Sequence, residues 1–121
     1  MSVLLWKSVV EIADKVCKKY SLSYGKLTPE VDKRARRLGY CLPCDRCMNS
    51  EVIDEVNCRE KLIYIRVHQL KDPNKPLAPS TILRTLAHEL SHLREWVHGE
   101  DHREFEREIV EYIKELGYSV K

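Results

Sequence analysis

The run His88-Glu89-Leu90-Ser91-His92 constrains this chain more than any other stretch, because an HExxH pattern presents its side chains together only on a helix. Residues four apart share one helical face, so His88 and His92 can offer two imidazoles to one metal ion. Glu89 then stands beside that ion, where a carboxylate can take a proton from the water that attacks a carbonyl. Leu83, Leu86, Ala87, Leu90, Leu93 and Val97 make the segment a strongly apolar helix, and four of the 5 histidines fall between residues 88 and 102. The competing reading is a core helix whose histidines only satisfy hydrogen bonds.

A catalytic zinc usually takes three protein ligands and keeps one position for water. If the helix ran on past His92, His98 would lie about 240° further round the axis, facing away from the ion. The chain must therefore leave the helix first, and Gly99 is placed to cap such a break. Asp101 with Glu104 forms a capping-box-like pair for a further helix, whose inner face is Phe105, Ile109, Tyr112, Ile113 and Leu116. His102 and Glu106 sit at the edge of that face. Geometry alone leaves His98, His102 and Glu106 all open as the third ligand.

Upstream, Leu5, Val9, Ile12, Ala13, Val16 and Tyr20 recur at helical spacing and predict an amphipathic helix from about Val3 to Tyr20. Ser21 to Lys26 reads as a loop. Thr28 as N-cap and Pro29 at the first helical position predict a short second helix, with Val31, Ala35 and Leu38 inward and Gly39 closing it. The β-branched and aromatic run from Lys61 to Val67 predicts the best strand, and Glu51 to Val56 a weaker partner. Lys71 to Pro76 is a turn, and Pro79-Ser80 opens the HExxH helix. His68 reads as a loop residue rather than a ligand.

Cys41, Cys44, Cys47 and Cys58 place four thiols within eighteen residues. Four thiolates can close a tetrahedral structural zinc site, although no second CxxC accompanies Cys58, and free thiols in a short loop are the alternative. Disulfides fit a reducing cytosol poorly.

A chain of 121 residues predicts one domain over 1–121, and 43% hydrophobic with 33% charged residues is ordinary globular composition. The net charge of +2 is small but uneven. Lys33, Arg34, Arg36 and Arg37 belong to a basic first third, which admits DNA contact, while Glu100 to Glu115 is acidic. No cleavable leader and no membrane-length apolar run is visible, which predicts a cytoplasmic protein without membrane contact.

The run from His88 through His92 to His98-Gly99 resembles the signature of SprT-like and YgjP-like zinc metallopeptidases, in which a third histidine follows six residues after HExxH, often as His-Gly-x-x-aromatic. That resemblance implies His88, His92 and His98 as ligands and Glu89 as the catalytic carboxylate. A strand, a loop and then the metal helix is also the order of such minimal zincin cores. His102 occupies the aromatic position here, and the cysteine segment has no counterpart; the likeness covers about residues 60 to 117. The archaeal-type minigluzincins are a rival resemblance, in which a glutamate on the following helix is the third ligand, here Glu106.

The expectation is therefore an α+β, minimal zincin-like domain: N-terminal helices, a small sheet, the HExxH helix and a C-terminal helix. Its expected function is zinc-dependent hydrolysis of a peptide or protein substrate with one catalytic zinc, a second, structural zinc at the cysteines staying open beside free thiols. Strand addition along Lys61 to Val67 would hold the substrate, with Tyr64, Tyr112 and Tyr118 as candidate oxyanion donors. A zinc-containing nucleic-acid-associated module is the alternative from another class, and a latent, self-inhibited peptidase is a third reading.

Overall fold

The computed structural model describes residues 4–31, 37–44, 47, 58–69, 72 and 74–120. Among them it is α+β. Three helices, α1 (Trp6–Tyr20), α2 (Pro79–Ser91) and α3 (Glu100–Glu115), pack with three strands, β1 (Lys26–Glu30), β2 (Gly39–Leu42) and β3 (Leu62–Arg66). No helix among the described residues is long and apolar enough to cross a membrane.

The sheet is mixed and ordered β1-β3-β2, with β1 parallel and β2 antiparallel to the central β3. Alternation along β3 sends Ile63 and Ile65 into the core, each fully buried, while Tyr64 stacks on its register partner Tyr40 with ring centroids 4.6 Å apart. The helical stripes meet the inner face: Val9, Ile12, Ala13 and Val16 from α1, Ile82, Leu83, Leu86, Ala87 and Leu90 from α2, and Phe105, Ile109, Val110 and Ile113 from α3. Burying each large aliphatic side chain contributes about 1.5–3 kcal/mol, so α2, which supplies five of these residues, is anchored by its apolar side. Its polar stripe is left for chemistry.

The helix expected from Thr28 is corrected. Thr28 and Pro29 lie in β1, and two of the side chains meant for an inner helical face are outside the core, with Val31 66% and Leu38 43% exposed. A proline with no N–H is compatible with an edge strand, so Thr-Pro does not by itself mark a helix start. The stripe also lacked apolar area to bury. Of the N-terminal helices expected, α1 stands in the described residues; the middle of the expected second helix, 32–36, and the Glu51 to Val56 strand lie outside them. The turn before α2 is present, closed by Asn74 N–H donating to Asp72 Oδ1 at 3.1 Å.

β2 passes very close to α2. A Cβ added at Gly39 would lie 2.6 Å from Thr85 Cγ2, 3.0 Å from the Tyr64 carbonyl oxygen and 3.2 Å from Glu89 Oε2. Gly39→Ala is therefore expected to destabilise the protein by about 1–3 kcal/mol, the usual cost of overpacking, read by urea unfolding. Unchanged stability would mean that β2 and α2 separate freely.

Candidate metal centre

α2 stops at Ser91, well before the break expected at Gly99. Two side chains compete for its last turn. The Ser91 hydroxyl donates to the His88 carbonyl at 2.6 Å, and the His92 ring donates from Nδ1 to the Trp96 carbonyl at 2.9 Å. The backbone tightens as well, with Leu93 N–H donating to Leu90 O and Arg94 N–H to Ser91 O. His92 itself keeps helical angles, φ −65° and ψ −16°, so it stays one turn from His88. The chain then reverses through 93–98, Val97 is 75% exposed rather than helical and inward, and α3 starts at Glu100 with Gly99, not Asp101, as its cap.

That reversal brings four histidines to one place. One ring nitrogen each from His88, His92, His98 and His102 lie within 4.8 Å of one another. Nε2 of His98 is 3.2 Å from Nε2 of His88. Two nitrogens on one tetrahedral zinc with bonds of 2.0–2.1 Å stand about 3.4 Å apart, so the pair fits a shared ion.

The hydrogen bonds set the tautomers. His88 donates from Nδ1 to Glu106 Oε1 at 2.5 Å, and Glu106 Oε2 pairs with Arg84 at 2.7 Å. His92 spends its Nδ1–H on Trp96, as above. Both rings therefore keep Nε2 as a lone pair, the usual support of a metal-bound imidazole. The Ser91 hydroxyl proton is committed to His88, so the His102 Nε2 donates to Ser91 Oγ at 2.6 Å, leaving only Nδ1 as a donor atom for a metal. Glu106 thus lies behind His88 and is not among the grouped donors. His68 is buried away from them, in a bridge to Pro76.

Burial pushes the His92 imidazole down to about 4, with the neighbouring His102, His88 and His98 adding to the effect. His102 is lowered too, by burial first and then by His88. Neutral imidazoles are the form that binds metal. Glu89 is 5% exposed, and burial pushes its carboxyl up to about 7, with Glu106 adding to the rise against His88 and Arg37.

A cleft of about 420 Å³ opens in front of these groups, lined by His88, Glu89, His92 and His98 on one side and by Gly39, Tyr40 and Cys41 of β2 on the other, with Arg37 and Trp96 completing it. Strand addition along Lys61 to Val67 would need β3 at a sheet edge, but β3 is the central strand; the strand at the cleft is β2. Tyr64, Tyr112 and Tyr118 do not line it, whereas Tyr40 does, its hydroxyl donating to Glu30 Oε2 at 2.6 Å. Sequence patterning missed Arg37, Tyr40 and Trp96 as cleft residues, because none of them belongs to an apolar periodicity. Lys33, Arg34 and Arg36 lie outside the described residues.

The cysteines divide. Cys44, Cys47 and Cys58 have their sulfurs within 4.8 Å of one another, while Cys41 lines the cleft from β2. Burial pushes the Cys41 thiol up to about 12, the Glu89 carboxylate adding to the rise. Burial also works against charge on Cys58, but the N–H groups of Cys44 and Glu60 and the thiols of Cys47 and Cys44 hold it below the ordinary thiol value.

Fold and site together define the protein as a small α+β domain with histidine and cysteine groups that could each hold a metal ion. Comparison with protein-family models, curated proteins and solved structures gives no match.

Proposed function

We propose that the protein is a zinc-dependent peptidase of the minimal zincin kind, similar to the SprT-like and YgjP-like metallopeptidases. The observation that carries this reading is the position of Glu89: a buried carboxyl, one residue from His88, on the wall of a cleft that His88, His92 and His98 also line. His88, His92 and His98 would hold the ion. A zinc bound there supplies a Lewis acid that acidifies water and polarises a carbonyl.

The chain's own residues supply the rest. Glu89 takes the proton from the attacking water and passes it to the departing amine. Glu106, itself held by Arg84, and the Trp96 carbonyl keep the His88 and His92 rings turned toward the ion. Among the described residues the edge of β2 not paired with β3 carries no other strand, and its backbone groups offer an extended peptide a place to lie across the cleft as an added strand. Catalysis of this type selects extended, unfolded chains.

The test is hydrolysis of casein by the zinc-loaded protein. Cleavage should stop on chelation, return with zinc and fall by about 10²–10⁴-fold in Glu89→Gln. Chelator-resistant cleavage, or none at all by a fully zinc-loaded chain, would defeat the proposal.

A further inference from the structure

The cysteine group lies outside the catalytic cleft, and its position in the fold is specific. Cys44 follows the last residue of β2 by two positions, and Cys58 precedes β3 by four. The two strands end their pairing at Leu42 and Leu62, so the thiols gather where the long connection between the strands begins and ends. Cys44 Sγ is 3.5 Å from Cys47 Sγ, and the Cys44 N–H donates to Cys58 Sγ at 3.4 Å. Sulfurs bound to one tetrahedral zinc at about 2.3 Å stand about 3.8 Å apart, so little movement separates this group from a coordination set.

A second observation points the same way. Lys61 is only 2% exposed, and its ammonium donates to the Cys58 carbonyl while lying 5.4 Å from the centre of the Trp96 ring. A divalent ion with three thiolates carries one net negative charge, and Lys61 is the cation beside it.

We propose that Cys44, Cys47 and Cys58, without Cys41, form a three-thiolate site for a thiophilic divalent metal of the zinc class. On binding, each thiol gives up its proton to solvent, the three sulfurs bond to the ion, and one tetrahedral position stays available to a fourth donor. The ion fastens the β2–β3 connection at the base of the sheet. Lys61 neutralises the site and carries it as far as Trp96, whose carbonyl supports His92. The thiolate site does not depend on the peptidase reading.

The whole chain carrying His88→Ala and His92→Ala, reduced and metal-free, is to be titrated with cobalt(II). About one equivalent should bind with a thiolate-to-cobalt charge-transfer band, release protons and be displaced by zinc. Adding Cys47→Ser should abolish the band, and adding Cys41→Ser should leave it. No band in the histidine double variant, a band surviving Cys47→Ser, or a band lost with Cys41→Ser would each overturn the assignment. A second measurement needs no further folded variant. In the zinc-loaded natural chain three thiols should resist alkylation until a chelator is added; release only by a reductant would mean a disulfide and overturn the site.

Discussion

Replacing Glu89 by glutamine is expected to lower peptide hydrolysis by about 10²–10⁴-fold, the range that general acid–base catalysis supplies, while zinc content stays unchanged. Glutamine keeps the shape and loses the base. The same variant should show what the carboxylate costs the fold. Glu89 has a folded pKa of about 7 against 4.5 for the free group, so the folded state binds its proton more tightly than the unfolded state. The ionised group therefore opposes folding: nothing is lost below about pH 4.5, the penalty grows through the window up to 7, and it is complete above. At 1.36 kcal/mol per unit, the 2.5 units between those values amount to about 3 kcal/mol. Metal-free Glu89→Gln should be more stable than the natural protein by up to that amount at pH 8, and by little at pH 4.5. Urea unfolding in chelator at both pH values measures it. Equal differences at the two would show that burial does not set this carboxyl's pKa.

His98→Ala is expected to weaken zinc binding by more than 100-fold, and His102→Ala by about 10–100-fold. Losing an outer support of a metal site costs the smaller amount. The difference follows from where the ring nitrogens are engaged. His98 brings Nε2 to 3.2 Å from the His88 nitrogen, whereas His102 commits Nε2 to Ser91 and is 2% exposed, packed against the His92 ring with centroids 4.2 Å apart. Competition with a calibrated chelator ranks the two variants. A larger loss from His102→Ala would make His102 the third ligand. The ranking also bears on turnover, because four imidazoles on one zinc would close the tetrahedron and leave no position for water.

Several elements were legible in the residues alone. The apolar stripes of α1 and α2, the β-branched run of β3 and the proline opening α2 are local signals, and local physics is sufficient for them. The HExxH pairing was legible for the same reason, since four residues is one helical turn. The helix expected from Thr28 failed because Thr-Pro suits an edge strand as well as a helix start, and only pairing with β3 decides between them. The end of α2 was misplaced because it depends on Ser91 and His92 bonding to backbone carbonyls, which no periodicity records.

By itself, then, the order of residues determined the α2 platform, with His88, Glu89 and His92 on its polar stripe and an apolar stripe to bury. Only the tertiary structure decided what surrounds them. It brought His98 and His102 back through the reversal at 93–98, moved Glu106 behind His88, set β2 rather than β3 beside the cleft and parted Cys41 from the other three cysteines. The reason is physical. Spacing along a helix is set by a covalent repeat, whereas convergence of separate segments is set by packing against a shared core, and single spacings do not encode it.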